Sequence, residues 1–161
     1  NRKFENKKYN FTNIKCLREN RPLGTGGALS LLKRKKINDF ILINGDTFIN
    51  VDLNKLIKSC NKNSFGALTL TKNKSYKSNK KLTTMGLKNK KVILENSGGY
   101  MNGGVYFFKK KFLKFVKNKN LSLENEILPN LINKKKFSGI VTRNFFLDIG
   151  TPKSFKVAKN F

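Results

Sequence analysis

Two short apolar runs in this chain each lead to a carboxylate: FILINGD reaches Asp46, and FFLD reaches Asp148. A run of about four apolar residues bounded by turn residues is the pattern of a strand covered on both faces, as in a parallel sheet. Such a strand carries the residue that follows it to the rim of the sheet, where open α/β sheets bind their ligands. The chain holds only nine Asp and Glu against 35 Lys and Arg, so acids in these two places attract notice. A carboxylate pair in basic surroundings suits a hard cation such as Mg²⁺ facing a phosphorylated ligand. Taken singly, each Asp also reads as a solvated cap of the turn that follows it.

Around these two runs the pattern alternates between strand and helix. Strands are predicted at residues 14–17, 40–43, 65–71, 102–108, 137–141 and 145–149. A hairpin is predicted at 85–94 around Asn89-Lys90. Helices are predicted at 26–35, at 53–60 behind an Asp52 cap, and at 109–116. Another helix starts behind Ser122, with Pro129 marking a kink or stop, and Pro152 opens the last one. This alternation predicts one α/β domain over residues 1–161, with a mostly parallel sheet. Residues 72–81 read as a polar surface loop, and roughly 72–108 as a β-rich insertion beside the sheet.

A formal charge of +26 suggests nucleic acid, but the basic residues are 30 Lys and only five Arg, beside 23 Asn. Arg is the usual reader of phosphates and base edges, whereas Lys and Asn together reflect AT-rich codons. A nucleic-acid partner is therefore the least favoured reading. With no His in the chain, His-based acid/base chemistry and His metal ligation are excluded. Cys16 and Cys60 lie in unrelated segments without metal-ligand spacing, and both read as reduced. The N-terminal stretch is polar, and no apolar run reaches the roughly 18 residues of a membrane span. A cytoplasmic protein without a membrane partner is expected.

Two glycine-rich motifs remain. PLGTGGAL, residues 22–29, packs three glycines into four positions ahead of a helix. Such a loop lets backbone N–H groups approach a ligand; a tight strand-to-helix connection would use the same residues. In MNGGVYFF, residues 101–108, Asn102 and two glycines enter a strand, leaving room for a ligand ring or marking a bulge.

The order PLGTGGAL, LINGDTF, NGGVYFF, SLENEILPNL, FLDIGTPKSF resembles the sugar-1-phosphate nucleotidyltransferases over residues 19–158. Within that family it looks most like the heptose 1-phosphate guanylyltransferases, with the mannose-1-phosphate guanylyltransferases next. The resemblance implies a Rossmann-like mixed sheet flanked by helices. It also implies transfer of a nucleotidyl group from a nucleoside triphosphate, GTP favoured, to a heptose or mannose 1-phosphate for surface polysaccharide. Asp46 and Asp148 would hold Mg²⁺ and serve catalysis. Pro22, Leu23, Gly24, Thr25, Gly27, Asn44 and Gly45 would face the nucleotide, with Gly24 and Gly27 closest. Glu95, Asn102, Gly103 and Glu124 would face the sugar, in the β-rich insertion and near it. A homo-oligomer is compatible with these residues.

The sequence also departs from the family. The G-x-G-T-R loop that grips the triphosphate has no counterpart in residues 1–15, so an N-terminally truncated fragment, inactive alone, is expected. A non-catalytic sugar-nucleotide-binding homologue is the alternative. Asn96 stands where the family carries a phosphate-binding Lys after Glu95, which removes a charge-assisted contact.

Overall fold

The computed structural model describes residues 4, 6–10, 12–72, 84–95, 99–143 and 145–159. Strands β1 (Lys8–Tyr9) and β2 (Thr12–Asn13) form a small antiparallel hairpin. Helix α1 (Gly24–Gly27) runs into a 3₁₀ segment, Ala28–Arg34. Then come β3 (Phe40–Ile43), β4 (Thr47–Ile49), α2 (Leu53–Ser59) and β5 (Gly66–Thr71). They are followed by β6 (Thr84–Lys88), β7 (Lys91–Glu95), β8 (Met101–Phe108) and a 3₁₀ segment, Lys110–Phe115. A π-turn, Leu123–Ile127, leads into α3 (Leu128–Asn133). Strands β9 (Phe137–Thr142) and β10 (Phe146–Asp148) and helix α4 (Pro152–Ala158) complete the order.

The main sheet has six strands in the order β3-β8-β5-β9-β7-β6. It is mixed and flanked by helices, as expected, but its parallel share is smaller than the alternation implied. Among the described residues only β5 and β9 pair in parallel, Gly66 opposite Phe137 through Thr71 opposite Thr142. Strand β8 lies antiparallel between β3 and β5, so β3, β5 and β9 still point the same way. Residues 102–108 therefore do not belong to an insertion beside the sheet; they form its second strand. Strands β6 and β7 are a hairpin added at the far edge, closed by Asn89 and Lys90 at φ 50° and 61°. Positive φ at both turn residues is the two-residue turn whose twist matches paired strands.

The sheet separates two apolar layers. On one face Leu68, Leu70, Tyr106, Phe108 and Phe137 pack under Phe112, Leu123, Leu128 and Ile132. Phe108 and Phe112 stack with centroids 4.0 Å apart and Phe137 meets both edge-on at 6.0 Å. Aromatic pairs of this kind contribute about 0.5–1.5 kcal/mol each beyond simple burial. The other face is thinner: Leu56 of α2 covers Ala67, Val105 and Phe107. Asp52 caps α2 as its sequence position implies, accepting the Lys55 N–H at 2.9 Å.

Three local readings change. Ile14 joins the first hairpin through its N–H to the Lys7 carbonyl at 3.0 Å, but residues 15–17 form no strand. The FILI strand, expected to be covered on both sides, sits at the sheet edge, and Ile43 is 55% exposed. Pro129 does not stop its helix. The π-turn admits an Ile127 N–H to Ser122 carbonyl bond of 3.3 Å, and Pro129 falls in the first turn of α3. The missing N–H of Pro129 falls where the i→i+5 bonds of the π-turn give way to α3, so the irregularity takes up the proline. The predicted loop at 73–81 and Asn96 lie outside the described residues.

Candidate active site

The residues after β3 turn sharply through Asn44, Gly45 and Asp46 and come back as β4. Strand β4 leaves the main sheet and pairs instead with β10, Thr47 opposite Asp148. That pairing brings the two carboxylates, about a hundred residues apart in sequence, to one rim. The Ile149 N–H donates to the Asp46 carbonyl at 2.8 Å, and the Gly150 N–H to Asp148 Oδ1 at 2.7 Å. A Cβ built on Gly150 would lie 3.0 Å from Asp148 Oδ1 and 3.2 Å from Asp46 Oδ2. The missing side chain of Gly150 is thus the space into which both carboxylates point. Both are exposed, and a Cβ on Gly45 would meet nothing within 4 Å. Among the described residues no third Asp, Glu or Cys joins them. Two hard carboxylates beside open solvent fit a divalent cation that keeps water and ligand oxygens in its remaining positions.

Beside this rim lies a partly buried polar chain, centred on the buried Tyr106, that ties four motifs together. Thr25 Oγ1 donates to Glu124 Oε2 at 2.7 Å, and the Leu123 N–H donates to the same hydroxyl at 2.9 Å. The Tyr106 hydroxyl donates to Glu124 Oε1 at 3.4 Å and accepts from Asn102 Nδ2 at 2.7 Å. Asn102 Oδ1 accepts the Gly104 N–H at 3.0 Å. The Asn44 side chain, two residues before Asp46, also acts on the Tyr106 hydroxyl. Burial pushes the Tyr106 phenol well above its ordinary value of 10.0, and the Glu124 charge pushes it further. Hydrogen bonds from Asn102 and Asn44 act the other way, more weakly. Tyr106 therefore stays protonated and holds Glu124 and Asn102 in fixed positions. Glu124, which at the start of a helix could have been merely favourable there, is central to this chain.

The glycines are explained largely by chain packing. The Gly26 and Gly27 N–H groups donate to the Leu121 carbonyl at 2.8 and 3.2 Å, and the Leu121 N–H donates back to Leu23. A Cβ on Gly27 would overlap the Lys119 carbonyl, and one on Gly24 (φ +68°) would lie 2.6 Å from the Leu121 carbonyl. Gly27 is buried and its N–H is taken, so Gly24 and Thr25 are the exposed residues of this turn. Gly103 and Gly104 form a bulge in β8, where the pairing with β5 shifts between Leu68 and Leu70. Cβ atoms there would meet Ile49 and Thr69, or Thr47. The glycine pair thus lets β4 lie on β8.

Glu95 is not part of the polar chain; its carboxylate lies over Gly86 and Gly99 on the β6–β7 hairpin. Tyr106 was missed by sequence reasoning. On a regular strand residues 102 and 106 are about 13 Å apart, and only the bulge at Gly104 (φ +70°) brings them into contact.

A mixed sheet with a two-carboxylate rim beside a hydrogen-bonded polar cluster describes a ligand-handling α/β domain. The model of the nucleotidyl transferase family matches residues 1–161. The chain belongs to the nucleotidyl transferase family. It is 31% identical over 159 residues to D-glycero-alpha-D-manno-heptose 1-phosphate guanylyltransferase of Aneurinibacillus thermoaerophilus, covering 94% of this chain and 68% of that one. It is 26% identical to probable mannose-1-phosphate guanylyltransferase 3 of Arabidopsis thaliana, covering 85% of this chain and 44% of that one. The crystal structure of HddC from Yersinia pseudotuberculosis complexed with GMP-PN superposes with a TM-score of 0.70 at 27% identity. That likeness covers 93% of this chain and 67% of HddC. The chain thus spans between two fifths and two thirds of the length of these relatives. Among the described residues, no helix is long and apolar enough to cross a membrane.

Proposed function

We propose that this chain supplies metal- and substrate-binding residues to an enzyme that transfers a nucleotidyl group from a nucleoside triphosphate to a sugar 1-phosphate. GTP and a sugar of the heptose or mannose class are the favoured pair, as in the names of the similar proteins. The observation that carries this reading is the convergence of Asp46 and Asp148 on Gly150, joined to the Thr25–Glu124–Tyr106–Asn102 chain through Asn44.

A sugar 1-phosphate is ionised near neutral pH, so its oxygen needs no strong base to attack the α-phosphorus of the triphosphate. The new P–O bond forms as the bond from the α-phosphorus to the bridging oxygen breaks, and pyrophosphate carries away the electron pair. The barrier is mutual repulsion and alignment of two anions. Asp46 and Asp148 would hold Mg²⁺, which when bound offsets phosphate charge. Pro22, Gly24 and Thr25, with Asn44 and Gly45, take the nucleotide, while the buried Leu23 holds their turn from behind through its bonds to Glu19 and Leu121. Asn102 and Glu124 take sugar hydroxyls, held in place by Tyr106, and Glu95 approaches from the hairpin. Gly27 and Gly103 act from behind, by letting the strap at Lys119 and strand β4 pack closely.

The test is an assay for pyrophosphate with GTP, Mg²⁺ and either mannose 1-phosphate or the heptose 1-phosphate. Release that requires the sugar phosphate and prefers GTP supports the proposal. Saturable GTP binding without release would favour a non-catalytic sugar-nucleotide-binding protein instead.

A further inference from the structure

Beside the glycine turn lies a groove of about 320 Å³ that neither Asp46 nor Asp148 lines. Three of the chain's five arginines, Arg18, Arg21 and Arg34, line it, and among the described residues no lysine does. In a chain with 30 lysines this selection is informative. The neighbouring groove shows the contrast: Lys114, Lys117, Lys119 and Lys134 line it, as this composition would supply almost anywhere. Guanidinium groups are planar forks that match phosphate oxygens two at a time, which ammonium groups do not.

The groove is also built. Arg21 Nη2 reaches across it to the Asn118 carbonyl at 3.2 Å, fixing one guanidinium in place. The one carboxylate in this segment, Glu19, does not line the groove, and its Oε2 is engaged by the Leu23 N–H at 2.9 Å. Ser30 forms part of the wall, is only 8% exposed, and its hydroxyl has no hydrogen-bond partner among the described residues. A buried hydroxyl without a partner calls for an explanation, and one rotation about χ1 gives a serine a different direction. Leu23 and Leu31 supply an apolar wall, and the volume is at the lower end of the range for small-molecule sites.

We propose that this groove binds a phosphate-bearing small molecule, its phosphate held by Arg18, Arg34 and the Ser30 hydroxyl. Its occupant would lie against Leu23, which bonds the Leu121 strap that also receives Gly26 and Gly27. Binding there would be read directly by the glycine turn of the active site. The proposal does not depend on the reaction assigned above.

The test is amide NMR of the ¹⁵N-labelled chain in metal-free buffer, titrated with inorganic pyrophosphate and, separately, with ribose 5-phosphate. Saturable shifts at Arg18, Arg21, Ser30, Arg34 and Asn118 are expected. They should survive Asp46→Asn and weaken about tenfold or more in Arg18→Ala/Arg34→Ala, whose side chains are exposed, as charge-assisted bonds are lost. Tighter binding of ribose 5-phosphate would identify a phosphate ester as the ligand, and equal or tighter binding of pyrophosphate the inorganic anion. Ser30→Ala should weaken binding while leaving the free chain folded. Shifts confined to residues 24–25, 44–46 and 148–150, unchanged affinity in the arginine variant, or no saturation would overturn the proposal.

Discussion

Tyr106 has no exposed surface and two polar side chains bonded to its hydroxyl, whereas Asp46 stands exposed in the turn before β4 and Asp148 exposed at the end of the three-residue β10. The two places adjoin, yet one is fixed by the protein alone and the other is not. The pocket is held by the packed sheet: Tyr106 stacks on Phe108 with centroids 5.5 Å apart, and its neighbours come from three further segments. The rim rests on β4 and β10, a two-stranded ribbon of the kind that is marginal by itself. Its anchors are the Asp46–Ile149 backbone bond and the contact of Thr47 with Gly104. In the proposed function, a polar cluster that discriminates between sugars would gain from rigidity, and two exposed carboxylates would be drawn into place by the ion they hold.

If that contrast is right, conservative changes at the rim should damage chemistry and spare stability. Asp46→Asn and Asp148→Asn should each cut pyrophosphate release roughly 100- to 1000-fold, while the unfolding free energy moves by no more than about 0.5 kcal/mol. A large loss of stability in either variant would mean that the rim is structural.

Behind the pocket the order of effects reverses. Gly27→Ala forces a methyl group against the Lys119 carbonyl and should cost about 1–3 kcal/mol in chemical unfolding, as overpacking does. Normal stability there would show that the strap yields, and that the pocket is less rigid than its contacts imply.

Tyr106→Phe is the subtler change. It leaves Asn102 and Glu124 each short of one bond and should destabilise by about 1–2 kcal/mol. It also has a signature in pH. Because the phenol is raised above 10.0 in the fold, the folded chain keeps a proton that the unfolded chain releases, so stability falls as pH climbs past that value. The wild type should lose more stability than Tyr106→Phe between about pH 9 and about pH 11. Parallel curves would show that burial and the Glu124 charge do not act on this group as described.

The parts legible in the sequence were those set by local chemistry. Asp52 and Ser122 act as caps, Asn89-Lys90 turns the hairpin, and β3, β5 and β9 fall where apolar patterning put them. The meeting of the two Asp residues was legible from their place after apolar runs, but not its route: FFLD is no buried strand of a parallel sheet, and β10 meets β4 antiparallel in a separate ribbon with Phe145 exposed. What could not be read depends on pairing across long distances. Strand β8 enters the sheet antiparallel between β3 and β5, and no periodicity encodes a neighbour. The Asn102–Tyr106 contact exists only because the Gly103–Gly104 bulge shortens the strand. The π-turn that carries the chain past Pro129 is likewise a product of packing, with Leu123 and Ile127 buried on the sheet.

The central claim is that Asp46 and Asp148 act together as a cation site. Paramagnetic broadening by Mn²⁺ tests it most directly, read on the backbone amides of the labelled chain. Broadening should centre on residues 44–46 and 148–150 and be lost together in Asp46→Asn and in Asp148→Asn. Broadening centred elsewhere, or unchanged in both variants, would contradict it.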